Sequence, residues 1–178
     1  MTHELSITAI GADRPGVVAA VTAALAGLDA NLEDTSMTIL GGRFAMVLIV
    51  AVPDDVDVPT VEEALSAPAR DLALDVSVHV SSGSSSIGGG ERWHVSVYGA
   101  DRPGIVHRFA ELLAEHDVNI TDLATRVIGD AAHPVYAMLL DVTVPEGVDG
   151  LDLERRLHEV AADLGVECSA QPGDADIL

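Results

Sequence analysis

The sequence predicts an α+β fold built twice over: two consecutive β-α-β-β-α-β units, each an antiparallel sheet with its helices on one face. Three observations carry this. The segment Gly11-Ala12-Asp13-Arg14-Pro15-Gly16 recurs as Gly99-Ala100-Asp101-Arg102-Pro103-Gly104, 88 residues further on. Each copy then passes through the same succession of alternating and helical apolar patterns. Between the copies lies Ser81-Ser82-Gly83-Ser84-Ser85-Ser86-Ile87-Gly88-Gly89-Gly90, a Gly/Ser run with little to bury.

The repeat extends well beyond the hexapeptide. Carrying the offset of 88 from Gly11 to Ile39 pairs 29 positions, of which twelve are identical, among them Leu25/Leu113, Asp29/Asp117, Asn31/Asn119 and Asp34/Asp122. After four extra residues in the second copy, Ala45-Met46 aligns with Ala137-Met138 and Pro53 with Pro145. The chain is therefore a tandem duplication. The expected domains are residues 1–80 and 92–171, joined by a linker over 81–91 and followed by an acidic tail over 172–178.

Each element follows from its own pattern. Leu5, Ile7 and Ala9 alternate with polar residues, as do Trp93, Val95 and Val97, giving a first strand with one buried face. Asp-Arg-Pro-Gly then opens a helix whose apolar stripe is Val17, Val21, Leu25 and Leu28, or Ile105, Phe109 and Leu112/Leu113. Two strands follow, joined in the first copy by Leu40-Gly41-Gly42-Arg43, a two-residue hairpin because Gly-Gly tolerates positive φ twice. The second copy has the longer Gly129-Asp130-Ala131-Ala132-His133-Pro134 there. Second helices are predicted over about Pro59 to Asp71 and Gly150 to Leu164, with Pro68 expected to shorten or bend the first. Alternating strands close each copy at Leu74, Val76, Val78, Val80 and at Val166, Cys168, Ala170. With right-handed crossovers, this order is the split βαβ, or ferredoxin-like, sandwich.

Composition narrows the function. Nine basic against 29 acidic residues leave a formal charge of −20, and every basic residue is Arg. Such a surface repels phosphates and anionic lipid headgroups, so neither nucleic acid nor membrane is an expected partner. The N-terminal Met1-Thr2-His3-Glu4 has no basic or apolar leader pattern, and the expected compartment is the cytoplasm. The single Cys168 has no disulfide partner within the chain and reads as a buried, inert thiol.

The turn between the first strand and helix has two readings. Asp13 and Asp101 stand where a helix N-cap belongs, with Pro15 and Pro103 at or near the first helical position. Alternatively, the glycines let a ligand approach the backbone, and an Asn recurs 18 residues after each Asp, at Asn31 and Asn119, where the helix hands over to the second strand.

Asp-Arg-Pro-Gly at the end of a first strand, with Asn 18 residues after the Asp, resembles the ACT domain. The tandem layout, with Gly-Ala-Asp-Arg-Pro-Gly-(Val/Ile)-Val in both halves, looks most like the glycine cleavage system transcriptional repressor group. The resemblance implies a regulatory module that binds a small molecule, usually an amino acid, at the interface of two paired domains. Carried onto this sequence, the implied ligand residues are Asp13, Arg14, Pro15, Gly16 and Asn31, with Asp101, Arg102, Pro103, Gly104 and Asn119. His107, three residues past Gly104 where the first copy has Ala19, is a further candidate contact or an ordinary exposed histidine. One departure is chemical: amino-acid-binding members often carry Asn where this chain has Asp, and an ionised Asp accepts hydrogen bonds without donating any. The group is thought to act through a protein partner such as a transcription factor, and a homodimer is compatible with the layout.

No enzyme signature is present: no Gly-x-Ser-x-Gly, no P-loop and no dinucleotide-binding glycine run. The seven histidines show no metal-binding spacing on one helix face, so neither metal nor cofactor is expected. Formyltetrahydrofolate deformylase carries a similar N-terminal module, but this sequence ends where the hydrolase domain would begin. The expectation is an amino-acid-binding regulator, with glycine or serine the first candidate ligand, that controls transcription of glycine-related metabolism through a protein partner. Its rivals are a regulatory subunit of a metabolic enzyme and a ligand-free dimerisation scaffold.

Overall fold

The computed structural model describes residues 1–81, 89–129 and 134–173. Two compact units divide the chain at Ser85/Ser86. In the first, strand β1 (Thr2–Ala12) leads into helix α1 (Val17–Ala26), strands β2 (Asn31–Leu40) and β3 (Arg43–Pro53), helix α2 (Val58–Leu72) and strand β4 (Asp75–Val80). The second repeats the order: β5 (Gly90–Gly99), α3 (Ile105–Glu115), β6 (Asn119–Ile128), β7 (Val135–Pro145), α4 (Gly150–Leu164) and β8 (Val166–Pro172). The sheets run β2-β3-β1-β4 and β6-β7-β5-β8, antiparallel throughout, so each unit is a ferredoxin-like sandwich.

Period-two burial lays one face of each sheet on the helices. Leu5, Ile7 and Ala9 of β1 and Met46, Leu48 and Val50 of β3 are buried with Val17, Val21 and Leu25 of α1 and Val61 and Leu65 of α2. Trp93, Val95 and Val97 of β5 meet Ile105, Phe109 and Leu113 of α3 and Leu153 and Leu157 of α4. Each unit thus has its own apolar core, which is the favourable term that offsets chain ordering.

Both Gly41 and Gly42 have positive φ, 57° and 76°, as a two-residue hairpin of the right twist requires. In the second copy the matching loop lies largely outside the described residues, as do most of the expected linker and the tail from Asp174. Strand β5 begins at Gly90, inside the segment expected to be linker, and β8 runs on to Pro172, where the tail was expected to start.

Proline 68 does not shorten its helix. Helices α2 and α4 are equally long at 15 residues, with Pro68 inside α2. A mid-helix proline costs about 3 kcal/mol. Burial on both sides of it keeps the helix whole: Val61 and Leu65 before it, Ala69 and Leu72 after it, all on one core.

Helix α2 ends at Ala73 in the left-handed region (φ 53°, ψ 51°), whereas α4 ends at Gly165 in the same conformation. Left-handed backbone costs a residue bearing Cβ about 1–2 kcal/mol. Ala73→Gly is therefore expected to stabilise the first unit by about 1 kcal/mol, part of the gain being lost to greater freedom of the unfolded chain. A urea unfolding midpoint that fails to rise would contradict this account.

Candidate functional site

The repeated hexapeptide separates into parts with different jobs. Gly16 has φ 93° and ψ −5°, Gly104 φ 95° and ψ −4°. In Arg14-Pro15-Gly16-Val17 the Val17 amide points back to the Arg14 carbonyl at 3.5 Å. That is a type II turn, which wants Pro second and Gly third. Gly11 and Gly99 lie against chain: a Cβ there would stand 2.7 Å from Leu74 Cδ2 and 2.7 Å from Val166 Cγ1 respectively. Proline and the two glycines are thereby explained by the fold itself.

The two Asp residues and Arg14 are not. Neither Asp13 nor Asp101 is an N-cap, contrary to the capping expectation. The cap positions of α1 and α3 are Gly16 and Gly104, and among the described residues neither helix has a side-chain cap hydrogen bond. The left-handed glycine delays the helix until the turn is complete, which leaves the Asp three residues too early to reach. Helices α2 and α4 show the contrast: Asp57 accepts from the Thr60 amide at 3.0 Å, and Asp149 from the Leu151 amide at 2.9 Å. Hydrogen bonds from Thr60 hold the Asp57 carboxyl below its ordinary range.

The charged pairs sit at the end of each sheet where α1 and α3 begin. Asp13 and Arg14 are exposed, and among the described residues their side chains make no hydrogen bond or ion pair. The Asp13 amide donates to the Gly42 carbonyl at 3.0 Å, tying the turn to the hairpin tip. Together with Gly16, the first turn of α1, Met37 of β2 and Phe44 of β3, the pair frames a cleft of about 440 Å³. Arg102 behaves differently: its Nη1 donates to the Leu164 carbonyl at 3.2 Å, at the electronegative end of α4. Asp101 lies near Tyr136, whose phenol is pushed up by burial and then by that carboxylate, against a hydrogen bond with Thr125. His107 is exposed in the first turn of α3.

Asn31 and Asn119 are elsewhere. Asn31 opens β2 opposite Ala51, which faces Glu4 near the start of β1, whereas the turn follows the end of β1. Nine residues of strand, roughly 30 Å, separate the Asn from the Asp within one unit. Asn119, opposite Thr143, holds the same place in the second. Each unit therefore assembles Asp, Arg, Gly and the helix amides, and does not add its own Asn. Four wall residues were not legible as site residues: Met37, Phe44, Thr125 and Tyr136. The offset of 88 already pairs Met37 with Thr125, and extending the alignment past the four-residue insertion pairs Phe44 with Tyr136.

Cys168 is half-buried on the core side of β8, opposite Val97, and its thiol is pushed up to about 11 by burial and then by the Glu154 charge. Among the described residues no group of His, Cys, Asp or Glu is placed to hold a metal ion. Nor is any helix there long and apolar enough to cross a membrane.

Both units are ferredoxin-like sandwiches in which a positive-φ glycine opens the first helix without a side-chain cap, beside an exposed Asp. Residues 3–79 and 93–171 both match the ACT domain, and the chain belongs to that family. It is similar over nearly its whole length to the glycine cleavage system transcriptional repressor of Escherichia coli K12, at 25% identity over 169 residues, 94% of this chain and 88% of that one. A UPF0237 protein of Methanopyrus kandleri is 45% identical over 73 residues, 40% of this chain and 81% of the relative. Among solved structures, an unknown protein from Galdieria sulphuraria superposes with a TM-score of 0.85 at 26% identity, covering 97% of this chain and 99% of that one.

Proposed function

We propose that this chain is an amino-acid-binding regulatory protein of the cytoplasm, which controls transcription of glycine-related metabolism through a protein partner. One observation carries the ligand half. In both copies the helix that follows the turn lacks the side-chain cap its sister helices have, and an exposed Asp stands beside it. Uncapped amides at a helix N-terminus donate to a carboxylate, and an Asp accepts from an ammonium. An α-amino acid carries both groups one carbon apart. Asp13 and Arg14, with Asp101 and Arg102, are the residues assigned to it.

Similarity to the Escherichia coli repressor supports the regulatory half. A formal charge of −20 supports action through a protein, since so acidic a chain repels phosphates. The reading gives the chain no catalytic step.

Thermal unfolding against each of the twenty amino acids at millimolar concentration tests it. A ligand at a hundred times its dissociation constant adds about 2.7 kcal/mol, which raises the midpoint of a protein this size by several degrees. The expected result is a shift with a few chemically related amino acids, lost in a chain carrying both Asp13→Ala and Asp101→Ala. No shift with any of the twenty would overturn the ligand assignment.

A further inference from the structure

The first turn borders a cleft, and the positions that wall it carry different residues in the second copy. Met37 stands opposite Met46 and Thr125 opposite Met138, so the two occupy one position on the helix side of their sheets. Phe44 stands opposite Gly11 and Tyr136 opposite Gly99. Ala19 and His107 are both the third helical residue after the positive-φ glycine. In the first unit Met37, Phe44 and Ala19 all border the cleft beside Asp13. In the second, Tyr136 shares a hydrogen bond with Thr125 and feels the charge of Asp101, which places those three groups together.

All three differences run the same way, from apolar to hydroxyl or imidazole. The cores do not drift like this. Met46/Met138, Leu48/Leu140, Val50/Val142 and Val52/Val144 stay apolar and buried in both copies. Arginine use differs too, since Arg102 is bonded to the end of α4 while Arg14 has no such bond.

We infer that the two copies read different side-chain classes: the first cleft takes an amino acid with an apolar side chain against Met37, Phe44 and Ala19, the second a hydroxylated one against Thr125, Tyr136 and His107. This rests on the reading that the turns bind amino acids. A hydroxyl against an apolar wall gives up its water and finds no partner, while a wall of hydroxyls loses bonds to a ligand that has none.

The test is calorimetric titration of the full chain with L-leucine and L-serine as probes. Met37→Thr and Thr125→Met exchange residues at exposed strand positions, and thermal unfolding of each variant confirms its fold. Both probes are expected to bind without competing. Met37→Thr should weaken leucine about tenfold and leave serine unchanged, and Thr125→Met the reverse. Phe44→Tyr and Tyr136→Phe should act in the same directions and give an independent second pair. Mutual competition, variants that weaken both probes alike, or failure of both probes while another amino acid binds would overturn the inference and leave the function standing. If none of the twenty amino acids binds, both fall.

Discussion

Phe109→Ala is expected to destabilise the second unit by about 3–5 kcal/mol, the range for removing a large buried aromatic. Phe109 is fully buried in α3, among Ile105, Leu113, Met138 and Leu157. The hole left by its ring is walled by two helices and a sheet, so the surroundings collapse poorly and the full transfer and cavity terms are lost. Domains of this kind have about 5–15 kcal/mol in total, and one of roughly 80 residues stands toward the low end. Trp93, the single tryptophan, is buried in the same core and reports on this unit alone. Urea unfolding followed by its fluorescence should show the midpoint fall by more than half. A loss below about 1 kcal/mol would mean that the core repacks around the gap.

Cys168 should react with a thiol reagent about a hundred times more slowly in the folded chain than in urea at pH 8. The thiolate is the reactive form. A thiol at its ordinary 9.0 is about one-eleventh ionised at pH 8, and one at about 11 only about one part in a thousand. Burial against the core is the main cause, and the Glu154 carboxylate adds to it. The same shift fixes the direction of a pH effect. The folded state holds the proton more tightly than the unfolded one, so the stabilisation is whole below about pH 9 and is lost as the pH rises to about 11. Cys168→Ala should flatten stability over that interval. Equal labelling rates in the folded and unfolded chain would refute the assignment.

The fold was legible because the chain states it twice. A hexapeptide at a fixed offset and matching apolar stripes gave element order and core, and Leu40-Gly41-Gly42-Arg43 gave a hairpin with its turn type. What misled was geometry over distances that local sequence does not encode. Asp13 and Pro15 resemble the cap and first position of a helix, and only the left-handed conformation of Gly16 shows that the turn ends before the helix begins. Asn31 follows Asp13 by 18 residues, but a ten-residue helix returns the chain to the far end of the sheet. At Pro68 the local rule lost to burial on both of its flanks. The cleft walls were hidden for another reason. Phe44 and Tyr136 carry no site signal in the sequence, and only sheet register sets them opposite Gly11 and Gly99, next to the turn.

Both outer strands carry the same irregularity. Register slips between Leu32 and Asp34 in β2 and between Ile120 and Asp122 in β6, one extra residue on each. Both strands lie at the edge of their sheets. An uninvited extended peptide laid along such an edge finds a straight run from Asp34 to Leu40, then a kink it cannot follow. Pairing that starts at the hairpin end stalls after about seven residues and cannot propagate down the edge. The same stop stands in both copies, so each of these two edges is guarded in the same way.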